Sequence, residues 1–414
     1  MEQTFKQLTE LLSLSMNTKE RIENWEEINW RELLYLSHLH QVIPMLYEGL
    51  EKSKLIQNAN KEFVNEIRKI SITQSVAQLH RTLLFLDIYE QFQEDKIQAV
   101  VVKGVILRYL YPNENYRQSG DEDVYIKKED FNIVNKILER NGFQCEKKYS
   151  SMGDLKQEMS YEHPSGLVIE IHTDLFDYSF ELFRHMEDLF ENAFEHSISV
   201  QIESTLVQTL SLDEHFLFLV IHSAKHFISL GLGIRQLCDI VMFCEKYGKE
   251  INWEIIWDKV ASLGYAKYLR NLLAIGEQCL GLSHSSYSLT KDIQELLPTP
   301  DALLYDIMSA GLYGFREGDN GKSASITIQA AINSKNNQFS TMRLIRILFP
   351  NYGCMRLHYD YCKKNIFLLP VAWVHRMLHH LLDSSFRSKL LQNTKNSMEI
   401  GRKRIELLKE YGII

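Results

Sequence analysis

Residues 97–126 read IQAVVVKGVILRYLYPNENYRQSGDEDVYI, and this stretch decides the fold. Ile97 to Val102 is a short, nearly continuous apolar run rich in β-branched residues, the pattern of a strand buried on both faces. It stops at Lys103-Gly104, where a helical stretch from Val105 to Leu110 begins. After the loop Tyr111-Pro112-Asn113-Glu114-Asn115, Asp121 to Ile126 reads as a second strand. Residues 129–141 place Phe131, Val134, Ile137 and Leu138 on one helical face, and Leu167 to His172 reads as a third strand after the turn Pro164-Ser165-Gly166. Strand, helix, strand, helix, strand predicts a small mixed-sheet core of ordinary domain size.

Outward from this core the chain reads as helices. Before it, Trp30, Leu33, Leu34 and Ser37, then Val42, Met45, Leu46 and Leu50, follow helical spacing, with Pro44 opening the second group. In residues 61–95, Phe63, Ile67, Ile70, Val76, Leu79, Leu83, Leu86, Tyr89 and Phe92 recur every three or four positions, with one gap filled by Thr73, which predicts a core stripe. From about 205 the pattern is helical almost to the end, with Leu212, His215, Phe216, Leu219, Val220, Ser223 and Phe227 spaced for a buried helix and two more over 234–247 and 253–263. The polar stretch 316–325 reads as a loose connection. The expected fold class is therefore α+β and mostly helical: an N-terminal helical region over 1–95, a core over 96–204 and a C-terminal helical domain over 205–414.

Composition narrows the function. The 414 residues carry a formal net charge of −8, which argues against an extended nucleic-acid track, since phosphate neutralisation needs clustered Lys and Arg. Neither a secretory signal nor an apolar run of the ~18 residues a spanning helix needs is visible. The six cysteines form no C-x-x-C pair and read as reduced core thiols. A cytoplasmic protein with no membrane partner is the expectation.

Asp121 and Asp123 are two residues apart in a predicted strand, so both side chains leave the same face. Two carboxylates held ~4 Å apart at an effective dielectric near 20 repel by about 4 kcal/mol unless a cation or proton lies between them. Mg²⁺ suits the place, as a hard ion taking carboxylate and phosphate oxygens. Glu170, between Ile169 and Ile171 in another strand, is a third acid that joins the pair if the strands are neighbours. Three such acids form the scaffold of a two-metal phosphoryl or nucleotidyl transfer site. A lone D-x-D is common on solvated edges, and the surroundings give this one its meaning. Gly104 at a strand-to-helix turn lets phosphate approach backbone N–H groups. Lys103 and Arg117 can supply cations for the same phosphates.

The block from Val101 to Pro112, and Arg117-Gln118-Ser119-Gly120-Asp121-Glu122-Asp123-Val124-Tyr125-Ile126 after it, resembles the uncharacterised bacterial nucleotidyltransferase-like family of the DNA polymerase β superfamily. That family has a K-G-x-x-L…Y-P…R-x-x-G-D-x-D block, and Val168 to His172 looks like its third-carboxylate strand. Asn29-Trp30 with His38 to Tyr47, His222 to His226, Arg235 to Ile240 and Leu368 to Trp373 are similar to its helical blocks. The resemblance implies a polymerase-β-like nucleotidyltransferase core in which Asp121 and Asp123 ligate two Mg²⁺ ions. It makes Glu170 a ligand of the catalytic ion that also helps deprotonate an acceptor hydroxyl. Lys103, Gly104 and Ser119 would line the triphosphate, with Arg117 and Gly120 beside them. The implied activity is transfer of a nucleoside monophosphate, AMP from ATP first, to a hydroxyl of an acceptor that is a small molecule, a peptide or protein, or RNA. Two departures stand out. Gly104-Val105 replaces the superfamily's Gly-Ser or Gly-Gly and alone favours a nucleotide-binding module without turnover. Glu122 stands where an apolar residue is common, facing away from the metals.

Other groups read more plainly. His222 and His226 have a zinc-compatible spacing but no third ligand nearby, so packing or capping is expected, with a nucleotide or acceptor contact as the alternative. Arg235 and Asp239, four apart, predict a helix salt bridge, with a helix that borders the base or acceptor as the alternative. His172 shares the face of Glu170 and reads as a surface strand-end residue, or else as a support for Glu170, as does Asp174. His379-His380 and Arg402-Lys403-Arg404 read as solvated surface.

Overall fold

The computed structural model describes residues 2–22, 25, 27–145, 158–176, 186–229, 231–310, 368–373, 375 and 405–413. The chain divides into two compact units, Met1–Phe315 with Tyr411–Ile413, and Arg316–Glu410 with Ile414. In the second unit, 368–373, 375 and 405–410 are described, and they are short helical pieces. The stretch 316–325, Cys354, Cys362, His379-His380 and Arg402-Lys403-Arg404 lie outside the described residues. Everything below concerns the first unit.

Its fold is mixed α+β. The N-terminal helices are α1 (Glu2–Ser15), α2 (Trp30–Leu39), α3 (Ile43–Lys52) and the long α4 (Lys61–Glu94). Asn29 and Asn60 cap α2 and α4 by accepting the Glu32 and Phe63 N–H groups. Gly49 permits the close packing of α3 on α1, since a Cβ there would collide with the Leu11 carbonyl.

A seven-stranded mixed sheet follows: β1 (Val100–Val101), β2 (Asp121–Tyr125), β3 (Gln144–Cys145), β4 (Glu158–Glu162), β5 (Val168–His172), β6 (Ile198–Ile202) and β7 (Thr205–Thr209). Their order is β3-β4-β5-β2-β1-β7-β6. β2 and β5 are parallel neighbours, and β1 joins β2 antiparallel and β7 parallel. Two short helices, α5 (Val105–Arg108) and α6 (Phe131–Arg140), lie between strands. One sheet face, through Val101, Val124, Ile169, Ile171 and Val207, joins a core with Phe85, Tyr89 and Phe92 of α4 and Val134, Ile137 and Leu138 of α6. Strand alternation then turns Asp121, Asp123, Glu170 and His172 to the opposite face.

The helical series α7 (Leu212–Ser229), α8 (Ile234–Tyr247), α9 (Trp253–Ser262), α10 (Ala266–Leu280), α11 (Lys291–Glu295) and α12 (Asp301–Ala310) completes the unit. No helix among the described residues is long and apolar enough to cross a membrane.

Two expectations need correcting. The chain is not helical from about 205, because Thr205–Thr209 is the strand that pairs with β1. Nor is the whole α4 stripe core: Phe63, Ile67, Leu86, Tyr89 and Phe92 are buried, whereas Val76, Leu79 and Leu83 are exposed. The middle of this 34-residue helix thus carries apolar side chains away from the described core.

Candidate functional site

The parallel ladder between β2 and β5 sets Asp123 directly opposite Glu170 and Tyr125 opposite His172. The three strand carboxylates predicted from sequence thus share one face and line one cavity of about 290 Å³. Lys103 follows β1 and reaches across, its Nζ 2.8 Å from Asp123 Oδ1. His172 Nε2 lies 3.2 Å from the same oxygen and 3.9 Å from Glu170 Oε2. The far wall comes from α7, where Phe218, His222, Lys225 and His226 recur at helical spacing.

The electrostatics follow from this crowding. Burial pushes the Asp123 carboxyl up, but Lys103 and His172 outweigh it and hold it well below the usual carboxylate range. Burial opposes the charge on Lys103, and Asp123, Asp121 and Glu170 together raise its pKa in spite of that. At Glu170 burial, then Asp123, Asp121 and Glu158, outweigh the pull of Lys103 and raise it to about 7. Burial and the nearby Lys103 push His222 well below its ordinary value and His226 down to about 3. Both are therefore neutral. Since an ammonium only donates, the 3.1 Å contact between Lys103 Nζ and His222 Nε2 makes that nitrogen the acceptor.

A metal ion fits this set of groups. Asp123, Glu170 and His172 each bring a ligand atom to within 4.8 Å of the others. Asp123 Oδ2 is buried with no hydrogen-bond partner, an expensive condition that a bound cation relieves. Asp121, half-buried, lines the same cavity, although it lies outside that tight cluster.

The structure gives the remaining predicted residues other partners. The Val105 N–H donates to Glu122 Oε2 at 2.7 Å, so the backbone group expected to cradle phosphate is already engaged. Gly104, at φ +55°, is required there because a Cβ would strike that same carboxylate. Glu122 does face away from the acids, and it forms a fully buried pair with Arg108 at 2.6 Å. Ser119 accepts from Arg108 Nη1 at 2.8 Å, donates to the Asp121 carbonyl at 3.0 Å, and its N–H meets Gln78 Oε1 at 2.9 Å. Arg117 forks onto Asp239 at 2.6 and 2.7 Å, and the Tyr111 hydroxyl donates to the same carboxylate. Gly104, Arg117 and Ser119 line a second hollow of about 70 Å³, shared with Lys103, Asp121, His222, His226 and Arg235.

The predicted Arg235–Asp239 helix pair does not form. Asp239 is taken by Arg117, and Arg235 donates to the Gln118 carbonyl. His172 is buried against Asp123 rather than exposed, and Asp174 pairs with Lys128 instead of supporting Glu170. His222 and His226 border the cavity beside Lys103, which packing alone did not anticipate. Glu158 on β4 went unrecognised because its strand was not read.

The sequence profile described as "Uncharacterised nucleotidyltransferase" matches residues 26–281, more than half the chain and all of the sheet. The chain belongs to this family. Among solved structures it is similar to an antigenic nucleotidyltransferase-like protein from Paracoccidioides brasiliensis, at 14% identity and a TM-score of 0.32, covering 52% of this chain and 96% of that one. No curated protein matches the chain.

Metal affinity should depend on pH through Glu170. Its carboxyl titrates near 7 rather than 4.5, so between those values the folded, metal-free protein holds a proton that the unfolded chain has lost. That protein should lose stability as pH rises from about 4.5 to 7, with the penalty complete above 7. A cation binding the same carboxylate displaces the proton. Mn²⁺ affinity, followed by electron paramagnetic resonance, should rise by up to about tenfold per pH unit below 7 and level off above it. An affinity that is flat across this window would contradict the assignment of Glu170.

Proposed function

We propose that the protein is a Mg²⁺-dependent nucleotidyltransferase that moves a nucleoside monophosphate, AMP from ATP as the first candidate, onto a hydroxyl group of an acceptor. The observation that carries this reading is Asp123 facing Glu170 across the β2–β5 ladder, with one Asp123 oxygen buried and partnerless. Family membership supports the transfer chemistry, and the acid cluster supports the metal.

On this reading Asp121, Asp123 and Glu170 hold two ions, with His172 keeping Asp123 in orientation from Oδ1. When bound, Mg²⁺ would lower the pKa of the attacking hydroxyl and neutralise charge on the triphosphate and the departing pyrophosphate. The acceptor oxygen attacks the α-phosphorus, and the bond to the β-phosphate's bridging oxygen breaks. Glu170, ionised once a cation displaces its proton, assists in taking the hydroxyl proton. Lys103 is in direct contact with Asp123. Its ammonium is held between Asp123 and His222, where it can turn to a phosphate oxygen once metal satisfies Asp123. Arg117, Ser119 and Gly104 border the small second hollow beside which the triphosphate tail would lie, with Gly120 in the loop that leads into β2.

The acceptor is a small molecule, a peptide or protein, or RNA, and the net charge of −8 favours a compact one over a long nucleic-acid strand. One observation favours a second reading, a nucleotide-binding sensor or scaffold without turnover: the Val105 N–H is already occupied by Glu122. Incubation with α-labelled ATP, CTP, GTP or UTP, Mg²⁺ and pools of hydroxylated metabolites, RNA and protein separates the two. Transfer of label to any pool supports the enzyme. Calorimetric binding of nucleotide with no transfer to any pool would favour the sensor.

A further inference from the structure

The second hollow, beside the acid cavity, carries a charge that the fold leaves uncompensated. Three cations, Lys103, Arg117 and Arg235, line it against two carboxylates, Asp121 and Asp239. Lys103 is bonded to Asp123, and Arg117 forks onto Asp239. Arg235 is different. It is 8% exposed, and its bonds go to the Gln118 carbonyl and, at 3.5 Å, to Gln41 Oε1. Among the described residues no carboxylate pairs with it. A buried guanidinium held only by neutral groups is expensive, and a bound anion offsets that cost.

The hydrogen bonds left unmade lead to the same conclusion. Arg235 Nε and Arg117 Nη1 are buried with no hydrogen-bond partner. Both residues are more than nine-tenths buried, and both line the hollow. Orphaned donors of this kind are uncommon in folded proteins and call for an explanation. Guanidinium N–H groups match the oxygens of a phosphate well, and a phosphate accepts from several of them at once.

Size decides what the anion is part of. The hollow offers about 70 Å³, against about 290 Å³ in the acid cavity. A cavity of ~150 Å³ holds one benzene ring, so the hollow is too small for a nucleobase and of the scale of a single phosphate group. Lys103 and Asp121 line both spaces, so the hollow opens beside the acids rather than away from them.

We propose that Arg235 holds the terminal phosphate of a nucleoside triphosphate in this hollow, and so sets a preference for triphosphates over diphosphates. The inference rests on the transfer reading, with the α-phosphate at the acids, the next phosphate beside Lys103 and the last at Arg235. A diphosphate in the same pose leaves the hollow unfilled.

Calorimetry on the full chain with ATP, CTP, GTP and UTP and the four diphosphates, in Mg²⁺ without acceptor, tests this. For at least one base the triphosphate should bind about tenfold to a hundredfold more tightly than the diphosphate, the range of a hydrogen bond to a charged group. Arg235→Gln should bring that triphosphate to the affinity of its diphosphate and leave the diphosphate unchanged. Arg235→Lys should keep part of the preference. Equal weakening of both nucleotides in R235Q would mean that Arg235 only supports the loop at Gln118, and would overturn the proposal. A preference that survives R235Q overturns it too. So does a wild type that binds both nucleotides alike, an outcome that does not depend on how the variant folds. The two readings fail separately, because this test follows binding rather than turnover. Label transfer without an Arg235-dependent preference sinks this inference alone. An Arg235-dependent preference with no transfer to any acceptor upholds it and sinks the transfer reading.

Discussion

Asp123→Asn should lower nucleotidyl-transfer turnover by about 10³-fold, ~4 kcal/mol of transition-state stabilisation, in a protein that still folds. The reason is the position of Asp123 rather than its type. Its carboxylate lies opposite Glu170, shares one oxygen between Lys103 and His172, and leaves the other without a partner. Asparagine keeps the shape but loses the charge on which two-ion binding depends. Mn²⁺ titration should show the same loss as the kinetics. Asp174→Asn, four residues beyond Glu170 and paired with Lys128, is the matched control and should leave turnover near wild type. Equal losses in the two variants would mean that folding, not metal ligation, had been disturbed.

The largest stability effect should come from a residue outside the chemistry. Glu122→Ala should cost roughly 3–5 kcal/mol in urea unfolding, the cost of leaving a buried charge uncompensated. Arg108 is wholly buried, and Glu122 is its counter-charge at 2.6 Å. The same carboxylate accepts the Val105 N–H, so truncation also orphans a buried donor. Replacing both partners, Arg108→Met with Glu122→Met, should recover much of the loss. A double variant no better than the sum of the singles would show that the two side chains act separately.

How much of this was visible in the chain depends on the range of the interactions. Strand β1, within the apolar run 97–102, and the acidic strand after Gly120 were legible because continuous apolarity and period-two alternation are local signals. The juxtaposition of Asp123 and Glu170 needed in addition that the two strands be neighbours, which the sequence left open and the β2–β5 ladder supplies. The β6–β7 hairpin was not legible. It turns through Glu203-Ser204, with Glu203 at a positive φ of 50°, without the Asn-Gly chemistry that usually marks such a turn. β4 was missed because Glu-Met-Ser-Tyr-Glu has only two apolar residues, although Pro164-Ser165-Gly166, the turn that joins it to β5, was read.

The phosphate-loop reading of Gly104 was incomplete for a similar reason. A glycine at a strand-to-helix turn suits phosphate approach, but here the group that needs the room is Glu122. Arg117 read as a free cation because its partner Asp239 is 122 residues away. Both are non-local pairings, which spacing does not reveal. His172 stood in phase with Glu170, and the sequence left open whether that phase led to the surface or to the acids. The register of β5 on β2 decides it, bringing His172 to Asp123.

The measurement that tests the central claim most directly is pyrophosphate release by the full chain with each of the four nucleoside triphosphates, Mg²⁺ and a mixed acceptor pool. Wild type is expected to release pyrophosphate with at least one nucleotide, and to stop when Mg²⁺ is chelated. Asp121→Ala combined with Asp123→Ala should abolish release. Undiminished release from that double variant would contradict the assignment of the acid cavity as the site of transfer.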